Sequence, residues 1–237
     1  MSTTRILVVE DDPTICEILV FYLSKFSDYE TTVVGSAEIA LTKANEIQPD
    51  IFLLDIMLPG IDGLELCRKL RKSTYSPIIF ISAITDDETI VKALDLGGDD
   101  YITKPFNCEV LRAKIQSNLR RVSFEKESRE NQLLNFPFFK IDSETHEVRR
   151  IDGSTFLLSP IEYDILLALI HAEGKTLSEE TIFQAVWHRP SYGDVRTIPV
   201  HIFSIRRKIE KNPGSPAYLK TSRGKGYYFD EKGSERA

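Results

Sequence analysis

Hydrophobic positions along the first half of the chain come in two alternating patterns. Short strand-like runs, wholly apolar at Ile6–Val9 and Ile51–Leu54, occur at Ile6–Val9, Thr31–Val34, Ile51–Leu54, Pro77–Ile81 and Tyr101–Thr103. Runs of this length read as strands buried on both faces. Between them, apolar residues recur at helical spacing, as in Ile15, Ile18, Leu19, Tyr22 and Leu23, or Val110, Leu111 and Ile115. Helix starts are marked by Asp12 before Pro13 and by Ser36; stops are marked by Pro49-Asp50 and Gly97-Gly98. Five strand–helix alternations predict a parallel sheet with helices on both faces. The last helix is expected to reach Arg120-Arg121.

The second half reads differently. Phe136–Ile141, His146–Arg150 and Thr155–Leu157 are short strands separated by turn residues. Ser159-Pro160, with Glu162 in the first turn, opens a helix that Gly174 ends, and a second helix starts at Ser178 and carries Ile182, Phe183, Val186 and Trp187. A third carries Ile198, Ile202, Ile205 and Ile209 on one face; it should begin near Thr197, because Pro199 is tolerated only in a first helical turn. The chain then makes a glycine-turned basic hairpin, from Lys220 through Arg223 and Lys225 to Phe229. Helix plus hairpin predicts a winged helix-turn-helix. Ser123 to Asn131 is charged and nearly free of apolar residues, which fits a tether or an extended helix tail.

The 237 residues thus divide into an α/β domain over 1–122, a linker over 123–134 and an α+β domain over 135–231. The formal net charge is −6, but it is uneven: acids outnumber bases up to residue 184, and bases outnumber acids over 185–230. The C-terminal part therefore suits an anionic partner. No secretory leader or long apolar span is visible, which predicts a cytoplasmic protein with no membrane association. Cys16, Cys67 and Cys108 have no metal or redox spacing and read as packing residues.

All five parallel strands run the same way, so Glu10, Asp11, Asp55, Ser82 and Lys104 fall at one edge, where open α/β sheets place their chemistry. Clustered carboxylates repel one another and suit a hard cation. These residues also carry a resemblance. The acids after the first strand, Asp55 with Met57-Leu58-Pro59 and Asp62-Gly63, Ser82-Ala83, Asp99-Asp100-Tyr101 and Lys104-Pro105-Phe106 together resemble the receiver domain of two-component response regulators, a flavodoxin-like doubly wound fold with strand order 2-1-3-4-5. In the second half, Leu158-Ser159-Pro160-Ile161-Glu162-Tyr163, Arg196-Thr197, Val200-His201-Ile202, Arg206 with Lys208, and Arg223-Gly224 with Gly226-Tyr227 resemble the OmpR/PhoB winged-helix DNA-binding domain.

The resemblance implies that Asp55 accepts a phosphoryl group from a sensor histidine kinase. Mg²⁺ would be held by Asp11, Asp55 and the Met57 carbonyl, with Glu10 acting through water, and Asp12 is left as a helix cap. Lys104 and Ser82 would contact the phosphoryl group, Tyr101 would move with Ser82, and the Lys104–Pro105 bond would be cis. It further implies a homodimer through the fourth helix, fifth strand and fifth helix, with Lys92, Asp99, Asp100 and Lys114 as interface charges; Val110 departs from the family's glutamate there. Promoter DNA with direct repeats and RNA polymerase complete the implied partners. Arg196, Thr197, Pro199, Val200, His201, Phe203, Ser204, Arg206, Arg207, Lys208, Arg223 and Lys225 are the expected DNA-contacting residues, with Arg223 in the minor groove; Pro199, Phe203 and Ser204 depart from the family's usual acid and basic or amide residues, and there Phe203 can contact a thymine methyl group and Ser204 a base edge. Met57 and Ile84, two residues after Asp55 and Ser82, cannot orient an attacking water, so the protein reads as a slow switch rather than an enzyme. Two other readings are a phosphate-independent dimerisation module and an aspartyl-nucleophile phosphatase; the second lacks the acid that Met57 replaces.

Overall fold

The computed structural model describes residues 3–128, 133–187, 195 and 197–233. The chain forms two compact units, divided between Leu119 and Arg120.

In the first unit β1 (Thr4–Val9), β2 (Tyr29–Val34), β3 (Ile51–Leu54), β4 (Ile78–Ser82) and β5 (Asp100–Thr103) form one parallel sheet in the order β2-β1-β3-β4-β5. The strand alternation divides the apolar residues between two faces. Ile6, Val8, Ile51, Leu53, Ile79 and Ile81 meet α1 (Pro13–Leu23) and α5 (Cys108–Ser128) through Leu19, Leu23, Leu111 and Ile115. Leu7, Val9, Phe52, Leu54, Ile78 and Phe80 meet α2 (Ala37–Ile47), α3 (Gly63–Leu70) and α4 (Asp87–Asp95) through Ala37, Ala40, Leu66, Leu70 and Ala93. Each of the buried Val, Leu, Ile and Phe side chains contributes about 1.5–3 kcal/mol, so both faces stabilise the sheet whose edge carries the acids. Asp12, Ser36, Asp62 and Asp86 cap the first four helices, each accepting from backbone N–H groups of the first turn.

The second unit opens with an antiparallel sheet, β6 (Leu133–Asn135), β7 (Phe139–Asp142), β8 (Glu147–Arg150) and β9 (Thr155–Leu157). Three helices follow, α6 (Pro160–His171), α7 (Glu179–Trp187) and α8 (Thr197–Ile209), then the hairpin β10 (Leu219–Ser222) and β11 (Gly226–Phe229). One core joins them around Phe139, Ile161, Leu166, Ile182, Trp187, Ile202 and Ile205.

Two boundaries differ from the sequence reading. The last helix, expected to end near Arg120-Arg121, continues to Ser128, so the helix tail, one of the two forms open to Ser123–Asn131, is the one taken that far, because no Gly or Pro interrupts residues 107–128. The second unit's sheet begins at Leu133, not at 135, and the expected strand Phe136–Ile141 starts only at Phe139, since Phe136 donates its N–H to the Phe139 carbonyl across a turn containing Pro137.

Candidate functional site

The acidic edge is assembled by the carboxyl ends of three strands. Glu10 follows β1, Asp55 follows β3 and Lys104 follows β5. The Lys104 ammonium donates to Asp55 Oδ2 at 2.6 Å and to Glu10 Oε2 at 2.7 Å. Carboxylate oxygens of Glu10, Asp11 and Asp55 all lie within 4.8 Å of one another; Glu10 and Asp55 are buried and Asp11 is exposed. Burial pushes the Glu10 carboxyl above its ordinary range; Lys104 opposes this and the Asp55 charge adds to it. Burial alone would lower the Lys104 ammonium, but its bonds to Asp55 and Glu10 outweigh it and the net direction is up. An all-oxygen carboxylate set of this kind fits Mg²⁺. The Met57 N–H donates to Asp55 Oδ1 at 3.1 Å, while its side chain is exposed. Asp12 is the cap of α1 and accepts from Thr14 N at 2.8 Å.

Gly63 explains why Asp62-Gly63 accompanies this site. A Cβ at Gly63 would stand 1.9 Å from the Asp55 carbonyl oxygen, so α3 can begin this close to the Asp55 loop only with glycine. The Lys104–Pro105 bond is cis.

Ser82 is fully buried at the end of β4, and the Tyr101 ring is buried with its hydroxyl donating to the Ile84 carbonyl at 2.8 Å. The expected interface charges are placed less simply. Asp99 is completely buried: its Oδ2 accepts from Arg71 Nη2 at 2.5 Å and from the Ile78 N–H at 2.8 Å. It is a brace between α3, β4 and β5 rather than a surface charge, because those donors converge on it. Lys114 donates to Asp100 at 2.7 Å within the same chain, and both are buried. Lys92 is exposed, and Val91 and Val110 add exposed apolar surface on α4 and α5.

On α8 the expected DNA contacts separate into two sets. Thr197 is half-buried, Pro199, Phe203 and Arg207 are exposed, and Val200 is half-buried; Arg196 lies outside the described residues. Three expected contacts turn inward. Ser204 is buried and donates its hydroxyl to Glu162 Oε1, which removes it from any base edge. Lys208 donates to Glu162 Oε2 at 2.5 Å instead of standing in solvent. His201 is fully buried under the helix, not at its surface. Arg206 is half-buried and braces the hairpin, donating to the Leu219 carbonyl and to Thr221 Oγ1, both at 2.8 Å. Arg223 and Lys225 are exposed at the hairpin turn, where Gly224 and Gly226 hold positive φ. A Cβ at Gly226 would lie 1.9 Å from the Leu177 carbonyl oxygen, so the hairpin sits directly on the segment before α7.

Comparison with known proteins agrees with both halves. Residues 6–116 match the response regulator receiver domain family, and residues 153–229 match the C-terminal domain of transcriptional regulatory proteins. The chain is 37% identical over 223 residues to the DNA-binding response regulator MtrA of Mycolicibacterium smegmatis, covering 94% of this chain and 95% of that one. A solved structure of a RitR mutant is 27% identical with a TM-score of 0.79, covering 96% of this chain and 99% of the other. DrrB, an OmpR/PhoB homologue of Thermotoga maritima, is 31% identical over 96% of this chain and 99% of its own, with a TM-score of 0.47.

The chain is a DNA-binding response regulator.

It is thus a DNA-binding transcriptional regulator of a two-component system, and its N-terminal unit belongs to a family that typically binds Mg²⁺. Among the described residues no helix is long and apolar enough to cross a membrane. Several residues that organise this regulator were not picked out from sequence. Glu162 is the hub of the DNA-binding unit: it accepts from the Ser159 N–H at 2.6 Å, closing a capping box, and also from Ser204 and Lys208. Its Ser-Pro-Ile-Glu spacing signalled the cap but not the two remote donors. Arg150 donates to the carbonyls of Arg207 at 2.6 Å and Lys208 at 3.0 Å, satisfying the carboxyl end of α8. Glu210 accepts from the N–H groups of Ala217, Tyr218 and Leu219 and so fixes the start of the hairpin. Burial pushes the Cys67 thiol up to about 12, in keeping with a packing role.

Proposed function

We propose that this response regulator accepts a phosphoryl group on Asp55 from a sensor histidine kinase in a Mg²⁺-dependent reaction, and that the acyl phosphate promotes dimerisation and promoter binding. The observation that carries this reading is Lys104, drawn by Glu10 and Asp55 to within 2.6 Å of the acceptor carboxylate. Glu10, Asp11, Asp55 and the Met57 carbonyl would hold the metal, which when bound supplies positive charge for the transferring oxygens. Lys104 supplies the protein's own positive charge to the same oxygens, and Ser82 a hydroxyl donor. Asp55 itself is oriented by the Met57 N–H. Water is not directed at the acyl phosphate by Met57 or Ile84, so the modification persists long enough to act as a signal.

The dimer uses the α4–β5–α5 face. With Asp99 held by Arg71 and Asp100 held by Lys114 inside one chain, Lys92, Val91 and Val110 carry more of that contact. α8 lies in the major groove with Thr197, Pro199, Val200, Phe203 and Arg207 outward, and Arg223 and Lys225 reach the minor groove and phosphates. Direct repeats place two copies in tandem, and RNA polymerase is the target of the bound dimer. A second reading, a receiver that dimerises without phosphate, has one observation in its favour: Tyr101 already occupies the buried position with its hydroxyl on Ile84. Measuring DNA affinity and dimer mass with and without acetyl phosphate plus Mg²⁺, in wild type and Asp55→Ala, separates the two. Tightening in wild type alone supports the first reading; equal affinity in all four conditions overturns it.

A further inference from the structure

α8 turns most of its hydrogen-bonding side chains away from solvent. Ser204 and Lys208 bond to Glu162, His201 is buried and Arg206 is bonded to the hairpin. The outward row is Pro199, Phe203 and Arg207, spaced four residues apart on one helical face. Phe203 is the middle of that row and is 51% exposed. Arg207 lies on the same row, and Arg223 and Lys225 on the hairpin of the same unit are also exposed bases. An exposed ring on a helical row that also carries an exposed base suits a polyanion that presents an apolar group at the depth such a helix reaches.

Resting on the DNA-binding reading above, we propose that Phe203 is a specificity-determining residue that reads the C5-methyl group of a thymine in the major groove. That methyl is the apolar feature of the base edges there; the other groups are donors and acceptors. Over guanine, cytosine or adenine edges the ring would cover amino or carbonyl groups and return no hydrogen bond. Pro199, one turn earlier, extends the apolar row and adds no donor. 5-Methylcytosine carries the same methyl and is read in the same way.

Preferred sites are selected from a random duplex pool with the full chain. Each thymine of the selected site is then replaced by deoxyuridine, which lacks only the methyl, and anisotropy titrations are run with wild type, Phe203→Ala and Phe203→Leu. At one thymine per repeat, deoxyuridine weakens wild-type binding about fourfold, the loss expected for one buried methyl. Phe203→Ala binds thymine and deoxyuridine equally there, and Phe203→Leu keeps part of the discrimination. Phe203 is a surface residue, and unchanged thermal melts of both variants establish that they fold. An enriched site at which deoxyuridine costs wild type no more than Phe203→Ala overturns this assignment alone. A pool from which no site is enriched, with Arg223→Ala binding bulk DNA as wild type does, overturns it together with the DNA-binding reading.

Discussion

Replacing Glu162 by Gln tests whether the recognition helix is held by one buried carboxylate. The wild-type side chain is fully buried and accepts from the Ser159 N–H, the Ser204 hydroxyl and the Lys208 ammonium. Glutamine keeps the volume, but its NH₂ group sets a donor against one of those donors and leaves Lys208 without a counter-charge. Removing one partner of a buried ion pair costs about 3–5 kcal/mol. The Lys208 side chain retains 19% exposure and recovers some hydration. The expected loss is therefore nearer about 2–3 kcal/mol, with the broken half of the capping box included. Trp187 is the single tryptophan and lies in the core of the second unit, so its fluorescence reports that unit's unfolding apart from the receiver's. For a unit of this size each kcal/mol moves the midpoint by about 4–8 °C, giving a drop of about 8–24 °C. Acidity supplies an independent check. Burial raises the Glu162 carboxyl, but Lys208, Ser204 and the Ser159 N–H outweigh it and the net direction is down. Its contribution is thus fully present above the unfolded value of about 4.3 and is lost as pH falls through the lower folded value. The gap between wild type and Glu162→Gln should be constant near neutral pH and should close in acid. A shift below about 1 kcal/mol at neutral pH, which is the range of an ordinary surface change, would refute the reasoning, as would a gap that persists to the lowest pH at which wild type folds.

The receiver yields four further tests. Lys104→Ala should retain Mg²⁺ binding by calorimetry yet lose the acetyl phosphate effect on DNA affinity; a full response would contradict the role given to its ammonium. Radiolabelled acyl phosphate on Asp55 should persist for minutes or longer, since Met57 and Ile84 hold no water; decay within seconds would count against this. Asp99→Asn should lower receiver stability by about 3–5 kcal/mol through the stranded Arg71, with the Trp187 transition unmoved; an unchanged receiver melt would show that the pair is not a brace. Gly63→Ala should abolish labelling of Asp55, because the new Cβ must displace the Asp55 carbonyl; a normally labelled variant would show that the loop yields.

What sequence made legible was whatever is decided locally. Apolar runs such as Ile51–Leu54 give strands because nothing polar interrupts them, and Asp12, Ser36 and Ser159 cap helices because their partners lie within the next turn. The strand ends that gather Glu10, Asp55 and Lys104 followed from the parallel alternation. The destinations of other charges were not legible, because their partners are remote. Asp99 meets Arg71 28 residues away, Lys208 meets Glu162 46 away and Ser204 meets Glu162 42 away. A row of bases on a helix looks the same in sequence whether it faces a duplex or the protein's own interior. The continuation of α5 to Ser128 was ambiguous for a related reason: a charged run without glycine or proline supports both a tether and a helix.

Charge balance distinguishes the reactive cluster from the structural ones. Arg71–Asp99, Lys114–Asp100 and Lys208–Glu162 each match one base to one acid, and all three acids are buried. Within each such pair the two unit charges cancel. Glu10 and Asp55 share the ammonium of Lys104 and Asp11 lies beside them, so with all three acids ionised this group of four carries two negative charges in excess, and Asp11 opens it to solvent. That excess is the charge of one divalent cation. It also opposes the arrival of a phosphoryl dianion at Asp55 unless positive charge arrives with it, since repulsion between unit charges at about 4 Å amounts to several kcal/mol near a protein surface. On the proposed function, an edge built this way would take up metal first and accept phosphate only afterwards. Omitting Mg²⁺ should therefore abolish labelling of Asp55 even at high acetyl phosphate, and labelling that proceeds in its absence would show that Lys104 alone balances the site.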